Sequence, residues 1–260
     1  MTQVIDISEH NHKYKKAIDW AAVKKSGVDA VMIRVGWAGY NGTIDYDEAL
    51  TENIQNAHAA GLGVGLYIYV YCTTLSAASV AATEVISFAK KFPGIINYPI
   101  AWDIEETKNT CLISQSKEQL TNLVSTLCET TAQLGYYSVW YTYAMFAKQY
   151  LDYVALNKKY DLWIAYYGKT QSGISNILGN VSYGMWQYLG DEGRCEGVQG
   201  ACDRNYCYKD YPKIIKSAGL NGFTTTLAPT TPLEPDYKEL YTKLKAKWDS
   251  LKKLFSEEDL

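Results

Sequence analysis

The chain has 260 residues, 47% apolar and 20% charged, with 25 basic and 28 acidic side chains for a formal charge of −3. This excludes a disordered chain, which would lack apolar residues to bury, and argues against a nucleic-acid partner, which demands clustered excess Lys and Arg. Six cysteines are too few for a disulfide scaffold, and apolar runs of about eight residues fall short of the ~20 that membrane insertion as a helix requires.

Met1-Thr-Gln-Val-Ile-Asp6 shows no basic or apolar leader region, so a secretory signal is absent or already removed. From there, short β-type runs alternate with helical stretches. The runs are Val4–Ile7, Ala30–Val35, Gly65–Tyr71, Pro99–Ile104 and Tyr137–Tyr143. Between them lie helical stretches over Ala17–Ser26, Tyr46–Ala60, Ser76–Lys90 and Ser116–Leu134. Gly27, Gly61 and Gly135 stop three of these, as glycine does at helix C-termini. Strand–helix alternation predicts a parallel sheet with helices outside it. Further on, Asp161–Tyr167, Tyr183–Leu189 and Ala201–Tyr206 read as strands with too little chain between them for helices of ordinary length. The expected class is α/β: a TIM-like β/α barrel of eight strands and about five helices, with an open doubly wound sheet as the alternative.

The barrel is expected over residues 1–223. A Thr/Pro-rich linker over 224–235 follows. Tyr237, Tyr241, Leu244, Trp248, Leu251 and Phe255 then recur at spacings of 4, 3, 4, 3 and 4, which predicts an amphipathic C-terminal helix over 236–260. Three uses suit it: self-association, folding back on the barrel, or a small wall- or partner-binding module. Gly61-Leu-Gly-Val-Gly65 precedes a strand, whereas a dinucleotide loop follows one, so no nucleotide cofactor is expected. Cys195, Cys202 and Cys207 have no spacing typical of a zinc site, so no metal is expected. Cys202 either pairs with a neighbour or all three stay reduced.

Ala101-Trp-Asp-Ile-Glu105 carries the sharpest chemical signal. On a strand, Asp103 and Glu105 face the same side about 6.6 Å apart at ~3.3 Å per residue. Two carboxyls at that range suit glycoside hydrolysis, in which one donates a proton and the other stays ionised. They lie at a strand's C-terminal end, where barrels place catalysis. Asp6 and Asp203 sit at the ends of the first and last strands, which are neighbours in a closed barrel, so both are candidates for the same mouth. Their structural alternative is to bond backbone or pair with Arg34, a charge inside an apolar run that needs an acidic partner. With 23 Tyr and 7 Trp against 5 Phe, the aromatics suit half-wet surfaces. Tyr69, Tyr141 and Gln187 are the first candidates for substrate contacts.

Together Val4-Ile-Asp-Ile-Ser8, Ile33-Arg34, Ala101-Trp-Asp-Ile-Glu105, Leu162-Trp-Ile-Ala-Tyr166, Trp186-Gln-Tyr188 and Cys202-Asp-Arg-Asn205, with the Tyr-rich third strand, resemble the glycoside hydrolase family 25 lysozymes over roughly residues 3–223. The resemblance implies a flattened, modified barrel and cleavage of the β-1,4 bond between N-acetylmuramic acid and N-acetylglucosamine in peptidoglycan glycan strands, with retention. By the same resemblance Glu105 matches the general acid, Asp103 its partner, and Asp6 and Asp203 the remaining acids. The intermediate is either a glycosyl-enzyme or an oxazolinium formed by the substrate's acetamido group. Action on the bacterial cell wall is implied, reached through a holin, as for a phage endolysin, or as a trimmed secreted form. A chitinase-like glycosidase is the second reading, disfavoured because Ala101 stands where that class carries an acid. A catalytically silent glycan-binding protein is the third.

Overall fold

The computed structural model describes residues 1–11, 17–105, 111–168, 170–224 and Lys245. The chain divides into Met1–Thr224 and Thr225–Leu260, and all strands and helices named here lie in the first. The expected linker and C-terminal helix fall outside the described residues, apart from Thr224 and Lys245.

Nine strands are present: β1 (Thr2–Ile7), β2 (Ala30–Ala38), β3 (Ile44–Tyr46), β4 (Gly63–Val70), β5 (Ile96–Asp103), β6 (Ser138–Tyr143), β7 (Asp161–Ala165), β8 (Met185–Leu189) and β9 (Asp203–Cys207). Eight of them close a barrel in the order β1-β2-β4-β5-β6-β7-β8-β9, with β9 returning to β1. The pairs from β1 to β8 run parallel, but β9 is antiparallel to both neighbours. The parallel pairing expected from the alternation holds from β1 to β8, and β9, whose direction the alternation does not give, returns antiparallel. Residues 190–202, between β8 and β9, contain no helix, and a parallel return needs a crossover that usually carries one. The remaining strand, β3, is antiparallel to the outer part of β2 and was not anticipated, because three residues carry no readable alternation. Beside it β2 bulges between Arg34 and Gly36. Gly36 has φ of 141°, and a Cβ there would lie 1.9 Å from the Asp45 carbonyl oxygen, so the hairpin admits only glycine.

Eight α-helices occur among the described residues, against about five expected. Four are α1 (Trp20–Lys25), α2 (Leu50–Ala59), α3 (Leu75–Ala89) and α4 (Lys117–Gln133). The others are α5 (Ala144–Tyr150), α6 (Tyr153–Asn157), α7 (Ser172–Leu178) and α8 (Tyr211–Ser217). These last four span five to seven residues, too short to display a 3.6-residue stripe. Before α4, Ser116 and Gln119 form a reciprocal capping box, which satisfies two otherwise orphaned N–H groups. Gly27, Gly61 and Gly135 all have positive φ just past helix ends, as their stop positions predicted. Gly63 opens β4, so the glycine triplet joins a helix to a strand.

Alternation along each strand builds two cores. Val4, Met32, Tyr98, Ala101, Val139, Trp163 and Met185 fill the barrel interior. Ile5, Ile33, Leu66, Trp102, Trp140 and Ile164 point outward and pack under the helices. Trp102 donates from its indole N–H to Thr131 Oγ1 on α4 at 3.1 Å. At the N-terminal end of the barrel, Asn221 is 1% exposed. Its Oδ1 accepts from Tyr137 N at 2.7 Å, and its Nδ2 donates to Ile96 O and Tyr98 O at 3.0 and 3.1 Å. Three backbone groups, two on β5 and one just before β6, thus depend on one side chain.

Asn221→Ala is expected to cost about 2–4 kcal/mol, because buried backbone groups lose their partners. Thermal unfolding should then shift down by roughly 5–10 °C, and an unchanged melting temperature would show that water replaces the amide freely.

Candidate active site

Seven strands aim side chains at the C-terminal rim of the barrel, and β9, running the other way, brings its first residue there. Asp6, Arg34, Tyr67, Tyr69, Asp103, Glu105, Tyr141, Trp163, Tyr167, Gln187 and Asp203 line one cavity of about 190 Å³. All seven residues singled out from the sequence are among them. A second cavity of about 290 Å³ shares Asp6, Arg34, Tyr67 and Asp203 and extends along Ser8, His10, Asn11 and Asp191, so the opening is a groove.

Asp103 closes β5, and Ile104 still donates its N–H to Tyr141 O at 2.9 Å. Ile104 therefore turns outward into the helix-facing core while Asp103 and Glu105 both reach the cavity, as period-two alternation requires. Asp6 and Asp203 are register partners across the antiparallel β1–β9 pair. Asn205 Nδ2 donates to Asp6 Oδ2 at 2.8 Å, while its Oδ1 accepts from the Trp163 indole at 2.8 Å. Arg34 does not pair with Asp6 or Asp203. Its Nε donates to Asp47 Oδ2 at 3.0 Å, and its Nη2 lies 3.2 Å from Glu9 Oε1. The sequence rightly demanded an acidic partner for Arg34, but that partner is supplied from outside the cavity.

Gln187 is 2% exposed, and its amide is fully used by the protein. Its Nε2 donates to Asp6 Oδ2 and Asp203 Oδ2, both at 3.1 Å, and its Oε1 accepts from Tyr141 and Tyr167 hydroxyls at 2.8 and 2.7 Å. This residue holds two carboxyls and two tyrosines in place, and it has no polar atom left for a sugar.

Four carboxyls in one half-dry cavity raise one another's proton affinity. Burial pushes Glu105 up to about 7, with the Asp6 charge adding to the effect. Asp103 rises well above the ordinary range, first by burial, then by the charges of Glu105 and Asp6, against the opposing pull of Arg34. Its Oδ1 is buried without a hydrogen-bond partner. Asp6 and Asp203 share a hydrogen bond and both rise. Burial dominates in each; the Asn205 and Gln187 amides restrain Asp6, and the charges of Asp6, Asp191 and Glu105 add to Asp203. The site can thus donate a proton near neutrality, which few carboxyls do.

Sequence reasoning did not single out Trp163, Tyr167 or Asn205. For the first two the signal was present: on β7, Leu162 and Ile164 face the helices while Trp163 and Ala165 face inward, and the same alternation carries Tyr167 to the rim. For Asn205 too the signal was present, since it lies two residues from Asp203 on β9 and shares its face. All six cysteines are unpaired. Cys195 Sγ lies 3.7 Å from Ser26 Oγ and shares a sulfur hydrogen bond with Cys202. Among the described residues no group of three or more His, Cys, Asp or Glu could hold a metal ion, and no helix is long and apolar enough to cross a membrane.

The sequence profile of the glycosyl hydrolases family 25 matches residues 5–198, and Asp203 lies beyond that match. No curated protein sequence matches the chain. Among solved structures, the modular autolysin LytC from Streptococcus pneumoniae is 26% identical with a TM-score of 0.65, covering 78% of this chain and 46% of its own. The chain thus spans less than half the length of that autolysin. The bacterial lysozyme from Streptomyces coelicolor is 23% identical with a TM-score of 0.65, covering 85% of this chain and 98% of its own. The CTP1L endolysin is 23% identical with a TM-score of 0.66, covering 84% and 70% respectively. At these identities the last two likenesses show a shared fold.

Raised carboxyl proton affinities have a consequence for stability. Between the ordinary carboxylate pKa near 4 and the elevated folded value of Glu105, the folded chain binds more protons than the unfolded one, so stability falls as pH rises through this window. The melting temperature is expected to be higher at pH 5 than at pH 8, and Glu105→Gln should raise it at pH 8 more than at pH 5. Equal effects at the two pH values would contradict the elevated proton affinity.

Proposed function

The chain belongs to glycosyl hydrolases family 25, and on that premise we propose that it is a lysozyme that hydrolyses the β-1,4 bond between N-acetylmuramic acid and N-acetylglucosamine in peptidoglycan. The observation that carries this reading is the gathering of Asp6, Asp103, Glu105 and Asp203 around one cavity, with Glu105 holding its proton to about 7. The similar structures support it: an autolysin in complex with a synthetic peptidoglycan ligand, a bacterial lysozyme and an endolysin. The substrate lies in the bacterial cell wall, so the protein acts there.

In this reading Glu105 protonates the leaving glycosidic oxygen as the bond breaks, then takes a proton from the incoming water. Positive charge develops on the sugar ring between the bond's departure and water's arrival. Asp6, restrained by two amides, supplies the negative field that stabilises it. Asp103 orients the substrate's acetamido group. Its unpartnered Oδ1 is a ready acceptor for an amide N–H, whereas a carboxyl held toward its protonated form is a weak nucleophile at carbon. The reaction then proceeds through an oxazolinium and retains configuration. Tyr69, Tyr141 and Tyr167 border the sugar, with the hydroxyls of the last two already spent on Gln187.

Glu105→Gln is expected to lower turbidity clearance of cell walls by about 10²–10⁴-fold while the far-ultraviolet dichroism stays unchanged. Mass spectrometry of wild-type products should find reducing muramic-acid ends; reducing glucosamine ends would name a different bond. Since Glu105 must be protonated to act, activity should decline above about pH 7, and a flat profile from pH 4 to 9 would remove it as the acid.

Gln187→Leu should reduce kcat about 10²-fold with little change in KM, as expected for misplaced catalytic groups. Asp6 would then lose a hydrogen bond that lowers its proton affinity, so the acid limb of the pH profile should move to higher pH. A raised KM with an unmoved profile would make Gln187 a sugar contact after all.

A further inference from the structure

Two thiols in the return from β8 to β9 take no part in the proposed reaction. Cys195 and Cys202 lie in the helix-free stretch 190–202, and the peptide bond after Cys202 leads directly to Asp203 of the catalytic cavity. The stretch folds back on itself around them. Cys202 N donates to Gly193 O at 3.0 Å, and Val198 N donates to Cys195 O at 3.1 Å. A Cβ at Gly193 would lie 2.2 Å from Cys202 O, so the two arms of the loop touch. Arg204 on β9 ties the near arm down by donating from Nη1 to Arg194 O at 2.9 Å. The fold-back brings the thiols together: they share a sulfur hydrogen bond, with Cys195 6% and Cys202 1% exposed.

Burial alone does not make such a pair. Cys72 and Cys128 are also buried, and burial pushes both up to about 12, which leaves them as inert apolar fillers. Cys195 is held below the ordinary thiol range, first by the hydrogen bond from Cys202, against its own burial, with Ser26 and the Arg204 charge adding to the effect. Cys202 moves the opposite way, first through the same hydrogen bond and then through burial. One sulfur is thus prepared to attack as a thiolate and the other to follow it.

We propose that Cys195 and Cys202 form a redox clasp, which a low-molecular-weight disulfide such as oxidised glutathione closes into an intramolecular disulfide. The Cys195 thiolate, its proton already given to solvent, attacks one sulfur of oxidised glutathione, forms a mixed disulfide and releases one glutathione thiolate. The released thiolate takes the Cys202 proton. The Cys202 sulfur then displaces the second glutathione from Cys195, and that thiolate is protonated by solvent. Two protein thiols are oxidised and one glutathione disulfide is reduced to two thiols. The new bond closes the stretch 195–202 immediately before Asp203, which fixes the approach to β9. Where the clasp closes rests on the proposed function: an enzyme acting on the cell wall works outside the reducing cytoplasm, where disulfides persist.

Peptide mapping tests this without relying on turnover. Cleavage after Arg194 and Arg204 releases both thiols in one tryptic peptide, Cys195–Arg204. The native full chain is treated with oxidised glutathione, denatured in iodoacetamide and digested. The peptide is expected two hydrogen atoms lighter and free of alkylation, whereas protein kept in dithiothreitol gives it doubly alkylated. The melting temperature should rise by about 5–10 °C on oxidation, as closing a short loop does, and fall back in dithiothreitol. Cys195→Ala should lose that rise, and Cys202→Ala should stop at the mixed disulfide, with glutathione retained on Cys195. Double alkylation of the wild-type peptide after oxidation would overturn the clasp, and so would glutathione retained on wild-type Cys195 beside an alkylated Cys202; the wild-type peptide decides even where a variant does not fold. A closed disulfide in a protein that releases no reducing muramic-acid ends would reject the lysozyme reading and leave the clasp standing.

Discussion

Closing a barrel with a strand that runs backwards puts two acids face to face. Asp203 opens β9 directly opposite Asp6 on β1, and like charges in that position repel. The structure answers the repulsion with buried amides and a shared proton instead of a cation. Gln187 donates to both carboxyls and Asn205 to one, while Arg34 is turned away to Asp47. The electrostatic character of the whole mouth follows. A cation between Asp6 and Asp203 would favour their ionised forms and relieve the pressure on Glu105 and Asp103; amides satisfy the oxygens without supplying that charge.

The same logic explains the second layer of the site. Trp163 and Asn205 are neither acids nor bases, yet the indole N–H occupies the Asn205 carbonyl oxygen, so the amide is oriented with its donors toward Asp6. Tyr141 and Tyr167 do the equivalent for Gln187. Each polar group is oriented by its own partner, and the chain ends on the carboxyls. A cavity rich in polar atoms is costly inside a barrel, and here Asp6, Asp203, Gln187, Asn205, Tyr141 and Tyr167 are held by hydrogen bonds, while Asp103 Oδ1 is buried without one.

Where sequence reading succeeded and where it stopped can be traced to particular residues. Asp103 and Glu105 were legible because two residues on one strand share a face whatever the fold. Asp6 and Asp203 followed only once closure was assumed. Gln187 was expected as a sugar contact; that its amide is bonded to four protein partners depends on side chains from four separated stretches of chain. The fold was legible to the extent that elements were long. α2, α3 and α4 announced themselves by their period and the six-residue α1 by the glycine that stops it, whereas α5 to α8 and β3 are too short for any period to emerge. The strand at β9 was found, but its direction was not.

By itself, then, the sequence determined what is local: which runs are strands, which residues on each face inward, where glycine ends a helix, and that two acids share one strand end. Tertiary structure alone decided which distant groups meet. The Asn205–Asp6 bond joins residues 199 positions apart, and the Gln187–Asp6 bond residues 181 apart. Periodicity is a property of neighbours along a chain and can be read from a single stretch. Pairing across a closure depends on how every intervening strand and connection is laid down, including the helix-free return from β8 that forces β9 to run antiparallel and sets Asp203 against Asp6.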